Sequence, residues 1–157
     1  MLEADTDIDV PPGLDGILGF HIRLAHGAVY RHFNETFGAI GLTQKQTSVL
    51  WLVSDRPGLS QSDIARLLQV DRATMMAITN SLTDRDLLQR RASPIDRRRQ
   101  LLHLTAAGSA ALADARAAVA AHEIWLKARF TAEEVGQLVA LLRRIYQTAT
   151  QPTNGSV

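Results

Sequence analysis

One short segment, LSQSDIARLLQVDRATMMAITNSLTD, carries two helix-start signals so close together that only two short helices and a tight turn fit into it. Ser60 precedes Asp63 at the spacing of a capping box, and Asp71 is a second N-cap candidate. These signals predict helices over 61–68 and 72–84, separated by a turn at Gln69 and Val70. This segment is therefore expected to form a helix-turn-helix.

A β-hairpin is predicted directly after the second helix. The stretches LLQRR, at 87–91, and QLLHL, at 100–104, flank a charged loop that contains Pro94. Two short helices followed by a hairpin have the order of a winged helix-turn-helix, in which the second helix enters the DNA major groove. The hairpin would then be the wing.

The remainder of the chain is predicted to be helical. Apolar residues recur at helical spacing over 14–37, and Thr43 with Gln46 forms a capping box for a helix through Val53. Thr105 is expected to cap a long alanine-rich helix to about Arg129, and Thr131 with Glu134 a last one. The predicted fold class is mainly α with a small β-hairpin wing: a winged helix-turn-helix with N- and C-terminal dimerisation helices. The expected divisions are a flexible N-terminal segment (1–13), a helical dimerisation region (14–37 with 106–149), a DNA-binding lobe (43–105) and a flexible tail (150–157).

Composition excludes several classes of protein. With 46% hydrophobic and 21% charged residues the chain can bury a core, and without cysteine it has no thiolate metal site or thiol nucleophile. A glycine-rich phosphate loop, a Gly-x-Ser-x-Gly elbow and a metal-ligand spacing of histidines are also missing, so neither enzyme activity nor a cofactor is expected. No membrane-length apolar run occurs and the N-terminus is acidic, which favours a cytoplasmic protein with no membrane partner.

The net charge of +1 hides an uneven distribution. Between Arg72 and Arg99 every basic residue is an arginine, whereas acidic residues gather at the N-terminus and in the C-terminal helices. A cluster of this kind is typical of a surface that meets a phosphate backbone. Its members are Arg72, Arg85, Arg90, Arg91, Arg97, Arg98 and Arg99.

The helix-turn-helix sequence quoted above and the wing sequence DRRRQLLHLTAAG resemble the multiple-antibiotic-resistance regulator (MarR) family. The resemblance extends to the N-terminal helix, GILGFHIRLAHGAVYRHF, and to the turn GLTQKQ. It implies that Arg98 at the wing tip enters the minor groove and that Asp96 orients it through an ion pair. The alternative is that Arg97, Arg98 and Arg99 form only a solvated run of charge.

The resemblance also implies DNA contacts from the second helix. Arg72 and Thr74 occupy positions that contact bases or phosphates in the family, and Ala73 permits close approach. Ser60 and Gln61 open the preceding helix, where Ser60 could contact a phosphate, cap the helix, or do both. The chain departs from many relatives at Met76, Ala77 and Asn80, where they carry Ser, Arg and Asp. Either Met75 or Met76 could instead be a core residue, and Met75 is the preferred one. The predicted DNA-binding residues are Ser60, Gln61, Arg72, Ala73, Thr74, Met76, Ala77, Asn80, Asp96, Arg97, Arg98 and Arg99.

A homodimer on a pseudo-palindromic double-stranded DNA operator is expected, because the first and last helices exceed what one winged lobe needs. The resemblance implies a repressor with a small-molecule pocket, for which His21, Arg23, His26 and Trp51 are the candidates. His26 lies on the apolar stripe of its helix and could instead be a core or interface histidine. The preferred effector is an aromatic acid or its coenzyme A thioester. The alternative function is a winged-helix module that binds protein without sequence-specific DNA binding.

Overall fold

The computed structural model describes residues 10–148, so most of the N-terminal segment and all of the tail predicted to be flexible lie outside the described residues. The helix-turn-helix and hairpin predicted from the sequence are both present. In chain order the elements are α1 (Pro12–Asp15), α2 (Leu18–Phe37), α3 (Gln44–Asp55), α4 (Gln61–Leu67), α5 (Arg72–Asp84), β1 (Leu88–Ala92), β2 (Gln100–Leu104), α6 (Ala106–Lys127) and α7 (Ala132–Thr148).

The first helix differs from its prediction. A single helix was expected from Leu14, but the backbone breaks at Gly16 and Ile17, where Ile17 is extended with φ −93° and ψ 100°. Helix α1 already begins at Pro12, inside the segment predicted to be flexible, because proline suits the first turn of a helix. The smaller differences, at the ends of α3, α4 and α6 and at both ends of β1, are of the size expected where element ends fray.

The predicted caps are confirmed. Thr43 and Ser60 each form a complete capping box with the residue at the third helical position. Asp71 and Thr105 each accept a hydrogen bond from a backbone N–H in the first turn of their helices. Thr131 and Glu134 make the reciprocal bonds of a capping box at the start of α7. Because these contacts are local, a single sequence is enough to find them.

The core lies where α3, α4, α5 and the hairpin meet. Val49, Leu50, Ile64, Met75 and Leu82 are each 0% exposed. Strands β1 and β2 pair antiparallel, with Leu88 opposite Leu104 and Ala92 opposite Gln100. An isolated bridge between Ser60 and Leu101 joins the start of α4 to the hairpin. The wing is therefore tied to the helix-turn-helix by backbone contacts as well as by packing.

Helices α2, α6 and α7 extend the molecule beyond this lobe. The C-terminal half of α2 packs against α6 and buries Phe33 and Phe37, whereas Leu18 and Ile22 at its other end stay 69% and 39% exposed. Every α7 residue from Ala132 to Gln147 except Val135 is exposed. No helix within residues 10–148 is long and apolar enough to cross a lipid bilayer.

Candidate nucleic-acid interface and ligand cavity

Helix α5 presents most of its predicted contact residues on one exposed face. Gln69 has a positive φ of 52°, and the Val70 N–H bonds to the Ala65 carbonyl at 2.9 Å, which closes the turn before α5. Met75 and Thr79 on the inner face are 0% exposed, so the placement of Met75 in the core is confirmed. The outer face carries Arg72, Ala73, Met76, Ala77 and Asn80, all exposed.

Thr74 is engaged in capping α5. Its hydroxyl donates to Asp71 Oδ2 at 2.6 Å and its backbone N–H donates to Asp71 Oδ1 at 2.8 Å. These hydrogen bonds, the side-chain one first, lower the pKa of Asp71. A DNA contact by Thr74 stays a prediction, and in this structure its hydroxyl proton already has an acceptor.

Ser60 is a buried cap. It is 8% exposed, its hydroxyl donates to Asp63 Oδ2 at 2.7 Å, and its N–H donates to the same oxygen at 2.9 Å. Gln61 next to it is half-buried and accepts a 2.8 Å hydrogen bond from the Thr79 hydroxyl. The capping interpretation of Ser60 is confirmed, whereas phosphate contact by either residue stays a prediction.

The ion pair expected at the wing tip is absent from the described residues. Asp96 Oδ1 instead accepts a hydrogen bond from the backbone N–H of Arg98 at 3.0 Å. An aspartate in a tight loop commonly bonds the main chain two residues on. The expectation that Asp96 orients Arg98 by an ion pair is therefore wrong; Asp96 shapes the backbone of the loop, and Arg97 and Arg98 are both exposed.

Arg99 connects the wing to α4. Its guanidinium forms an ion pair with the carboxylate of Asp63, the residue that also caps α4 against Ser60. Hydrogen bonds from the hydroxyl and backbone N–H of Ser60, with a further contribution from Arg99, hold the pKa of Asp63 at about 2. Sequence reasoning identified Asp63 only as a cap and Arg99 only as a DNA contact. A surface groove lined by Ser60, Gln61, Ser62, Asp63, Arg98, Arg99 and Gln100 runs between the two elements.

A second connection, missed at the sequence level, ties β1 to α5. Arg90 donates to Asn80 Oδ1 at 2.7 Å and approaches the Thr79 hydroxyl at 3.4 Å. Thr79 is itself bonded to Gln61 of α4. The amide of Asn80, one of the predicted DNA-binding residues, is thus partly held by the wing. Arg90 was noticed only as one charge in a cluster, because nothing local relates it to Asn80.

The structure does not bring the four predicted ligand residues together. Trp51 lines a cavity of about 420 Å³ between α2, α3 and α6. His21, Arg23 and His26 lie outside it on exposed positions of α2. His21 Nε2 is 2.6 Å from the Asp15 carbonyl oxygen, Arg23 lies over the Phe20 ring, and His26 stacks on Tyr30. His26 is therefore not a core histidine within this chain.

His122 on α6 is the cavity residue that sequence reasoning missed. It is 6% exposed and its Nδ1 lies 2.7 Å from Nδ1 of His32, so one ring donates to the other. His32 in turn stacks on Trp125, with 3.8 Å between ring centroids. Burial, followed by the proximity of His32, lowers the pKa of His122, which keeps its imidazole neutral near pH 7. The spacing of His122 and Trp125 on one helical face was the available signal.

Comparison with known proteins places the chain in a family. Residues 40–99 match the model of the MarR family. A protein assigned to transcriptional regulation of the hcr operon in Thauera aromatica is 38% identical over 155 residues, which are 96% of this chain and 93% of that protein.

Solved structures agree in fold. The transcriptional repressor CouR bound to a 23-mer DNA duplex has a TM-score of 0.82 and 34% identity, covering 86% of this chain and 96% of that one. CouR bound to p-coumaroyl-CoA has a TM-score of 0.80 and 31% identity, covering 87% of this chain and 96% of that one. A third structure is BpsR of Bordetella bronchiseptica, whose DNA binding is regulated by 6-hydroxynicotinic acid. It has a TM-score of 0.81 and 26% identity, covering 87% of this chain and 98% of that one.

The relatives are regulators and not enzymes, as expected from the missing catalytic motifs. The assignment from these relatives agrees with the structure, which has a capped helix-turn-helix followed by a wing. The chain belongs to the MarR family of transcriptional regulators.

Proposed function

We propose that the protein is a homodimeric, cytoplasmic repressor that binds a pseudo-palindromic DNA operator and is released by a small aromatic carboxylate or its coenzyme A thioester. The observation that carries the proposal is the groove between α4 and the wing. Arg98 shares this groove with Ser60 and Gln61, the residues that open α4. Together with the exposed outer face of α5, these elements offer one surface to the duplex. The similarity to CouR in its DNA-bound form supports this arrangement.

Dimer formation is supported by apolar surface at one end of the molecule. Leu18 and Ile22 of α2 and Leu138, Leu141 and Leu142 of α7 line a cleft of about 1210 Å³ and are each at least 39% exposed. Contiguous apolar surface of this kind marks an interaction site. A twofold axis here would present two copies of α5 to half-sites roughly 34 Å apart, one turn of DNA.

Effector binding is supported by the cavity between α2, α3 and α6. One wall belongs to the helix-turn-helix lobe, through Trp51, and the other to the long helices, through Val29 and His122. A ligand in this cavity would bias the position of the lobe relative to the dimer helices. Coupling of about 1–3 kcal/mol between ligand and DNA is typical of allostery and would suffice for release. The p-coumaroyl-CoA of CouR and the 6-hydroxynicotinic acid of BpsR support the aromatic class.

Replacing Arg98 by alanine tests the DNA interface. We expect at least tenfold weaker binding to a fragment of the chain's own promoter at moderate salt, because a guanidinium is lost from the minor groove. Gel shift and fluorescence anisotropy would measure the affinity. The slope of log affinity against log salt should fall by about one per lost contact to the phosphates.

Arg31→Ala is the matched control, since it removes the same charge from an exposed position of α2, outside the lobe. Its affinity for the operator should stay within about twofold of the unaltered protein. Equal affinities for Arg98→Ala and the unaltered protein would remove the wing from the proposed interface. Aromatic acids and thioesters added to the complex test the effector, and release by none of them would contradict that part of the proposal.

A further inference from the structure

Met76 is a large apolar side chain in the middle of the outer face of α5. It is 52% exposed, whereas Met75 beside it is 0% exposed, so the folded chain does not bury Met76 in its core. Ala73, Ala77 and Asn80 lie three or four residues away from it and share its face, and all three are exposed. The two alanines are short, so they leave the methionine uncovered and let another surface approach the helix closely. The middle of this face is therefore apolar.

Two polar side chains of α5 that are predicted to contact DNA already have partners within the chain. The Thr74 hydroxyl donates to Asp71 Oδ2 at 2.6 Å, and Oδ1 of Asn80 accepts a hydrogen bond from Arg90 at 2.7 Å. An asparagine that reads adenine in the major groove uses both its side-chain oxygen and its amide nitrogen. Such a contact by Asn80 would compete with Arg90. Hydrogen bonding is therefore a limited source of base selectivity in the middle of α5.

An apolar side chain in the major groove has one complementary group among the base edges. All four bases present hydrogen-bond donors or acceptors there, and only thymine adds a methyl group, at C5. Contact between a methionine and this methyl group removes apolar surface of both partners from water, whereas contact with a polar base edge removes that edge from water without a hydrogen bond. The unbranched, flexible methionine side chain can also adjust to the position of the methyl group. The exposed face of α5 thus suits thymine better than the other bases.

We propose that Met76 determines operator specificity by packing against the C5-methyl group of a thymine in each half-site. Ala73 and Ala77 flank this contact and allow the helix to approach the bases. The inference rests on the proposed function, in which the outer face of α5 enters the major groove, and it names the chemical group that the helix reads there.

Two versions of one promoter duplex test the proposal. A fragment of the chain's own promoter is synthesised either with thymidine or with deoxyuridine throughout, since uracil lacks the C5-methyl group and keeps the hydrogen-bonding groups of thymine. Fluorescence anisotropy would measure the affinity of the full-length protein for each duplex. The thymine duplex should bind about tenfold or more tighter, because one buried methyl group in each of two half-sites contributes a factor of about four.

Met76→Gln is the test variant, because glutamine is close to methionine in length and helix propensity but carries a polar amide. It should bring the two affinities to within about twofold of each other and leave the affinity for the deoxyuridine duplex similar. Met76→Leu keeps an apolar side chain of similar volume and should keep the preference for thymine.

Ile124→Gln is the matched control, since it makes a comparable exchange at a 72% exposed position of α6, outside the DNA-binding lobe. It should leave the ratio of the two affinities unchanged. Met76→Gln should also keep the slope of log affinity against log salt, because no contact to a phosphate is lost. Its melting temperature should stay close to that of the unaltered protein, because the side chain is exposed.

Equal affinities of the unaltered protein for the two duplexes would overturn the proposal and leave DNA binding intact. An unchanged ratio in Met76→Gln would also overturn it, because the effect of deoxyuridine would then come from the shape of the DNA or from another side chain. If the unaltered protein binds neither duplex, the operator binding of the proposed function fails and this inference fails with it.

Discussion

At the scale of single residues, Gly108 is the described glycine with the least space for a Cβ atom. It lies in the first turn of α6, and a Cβ there would come within 1.9 Å of the carbonyl oxygen of Leu87. The obstacle is backbone at the entry to β1, which cannot rotate aside as a flexible side chain could. The close approach lets Thr105 cap α6 directly beside the hairpin.

Gly108→Ala should therefore lower the free energy of unfolding by about 3 kcal/mol, at the upper end of the cost of overpacking. Gly136→Ala is the matched control, because a Cβ on Gly136 of α7 meets nothing within 4 Å. That control should gain up to about 1 kcal/mol from helix propensity. Urea unfolding of both variants measures the difference; similar stabilities would contradict the close packing of α6 on β1.

At the scale of elements, Asp63 joins two parts of the DNA-binding lobe. Its carboxylate closes the capping box of α4 and also holds Arg99 of the wing. One side chain thus couples the start of α4 to the hairpin loop, and Arg90 makes a comparable link from β1 to Asn80 of α5. The wing is positioned by these polar contacts, and Arg97, Arg98 and Arg99 at its tip are all exposed.

Asp63→Asn should cost about 1–2 kcal/mol of unfolding free energy at pH 7, since it weakens a helix cap and an ion pair. Folding depresses the pKa of Asp63 from 3.8 to about 2, so its contribution is complete above pH 4 and is lost as the pH falls towards 2. The stability difference between the two proteins should shrink over the same interval. Urea unfolding at several pH values would measure it.

Asp114→Asn removes an exposed carboxylate of α6 and should change stability little at any pH. A difference between Asp63→Asn and the unaltered protein that stays constant from pH 5 to pH 2 would rule out the titration of Asp63 as its source.

At the scale of the whole molecule, α2 and α7 carry apolar surface that this one chain does not bury. Leu138, Leu141, Leu142 and Tyr146 of α7 are 40–53% exposed, and Leu18 and Ile22 at the N-terminal end of α2 are 69% and 39% exposed. His21, Arg23 and His26 lie on that same part of α2. These residues are accordingly expected to act at the contact between subunits.

Leu141→Asp should convert the dimer to monomer, because a charge would be buried in an apolar contact. Sedimentation velocity would measure the mass, and operator affinity should fall strongly because a monomer reaches only one half-site. Ala140→Asp adds the same charge to an exposed α7 residue that does not line the cleft, and should stay dimeric. A dimeric Leu141→Asp protein would argue against this cleft as the interface.

Local patterns in the sequence were enough to predict the caps, the hairpin, the family and the helices, apart from the break at Gly16 and Ile17. Ser60 with Asp63 and Thr43 with Gln46 are read from residues three apart, since a capping box is a local structure. In α5 the preferred core residue, Met75, is 0% exposed, whereas Met76 is 52% exposed, because neighbouring residues of a helix point to different faces.

How polar residues from different elements pair was visible only in the folded molecule. Arg99 meets Asp63 and Arg90 meets Asn80 because the hairpin folds back over α4 and α5, and no local pattern encodes those partners. The cavity is a similar case. Trp51, Thr47 and His122 converge where α3 meets α6, whereas His21, Arg23 and His26 remain on the exposed half of α2. Which side chains of different helices and strands meet is set by the packing of the whole core, so composition and sequence spacing do not predict it.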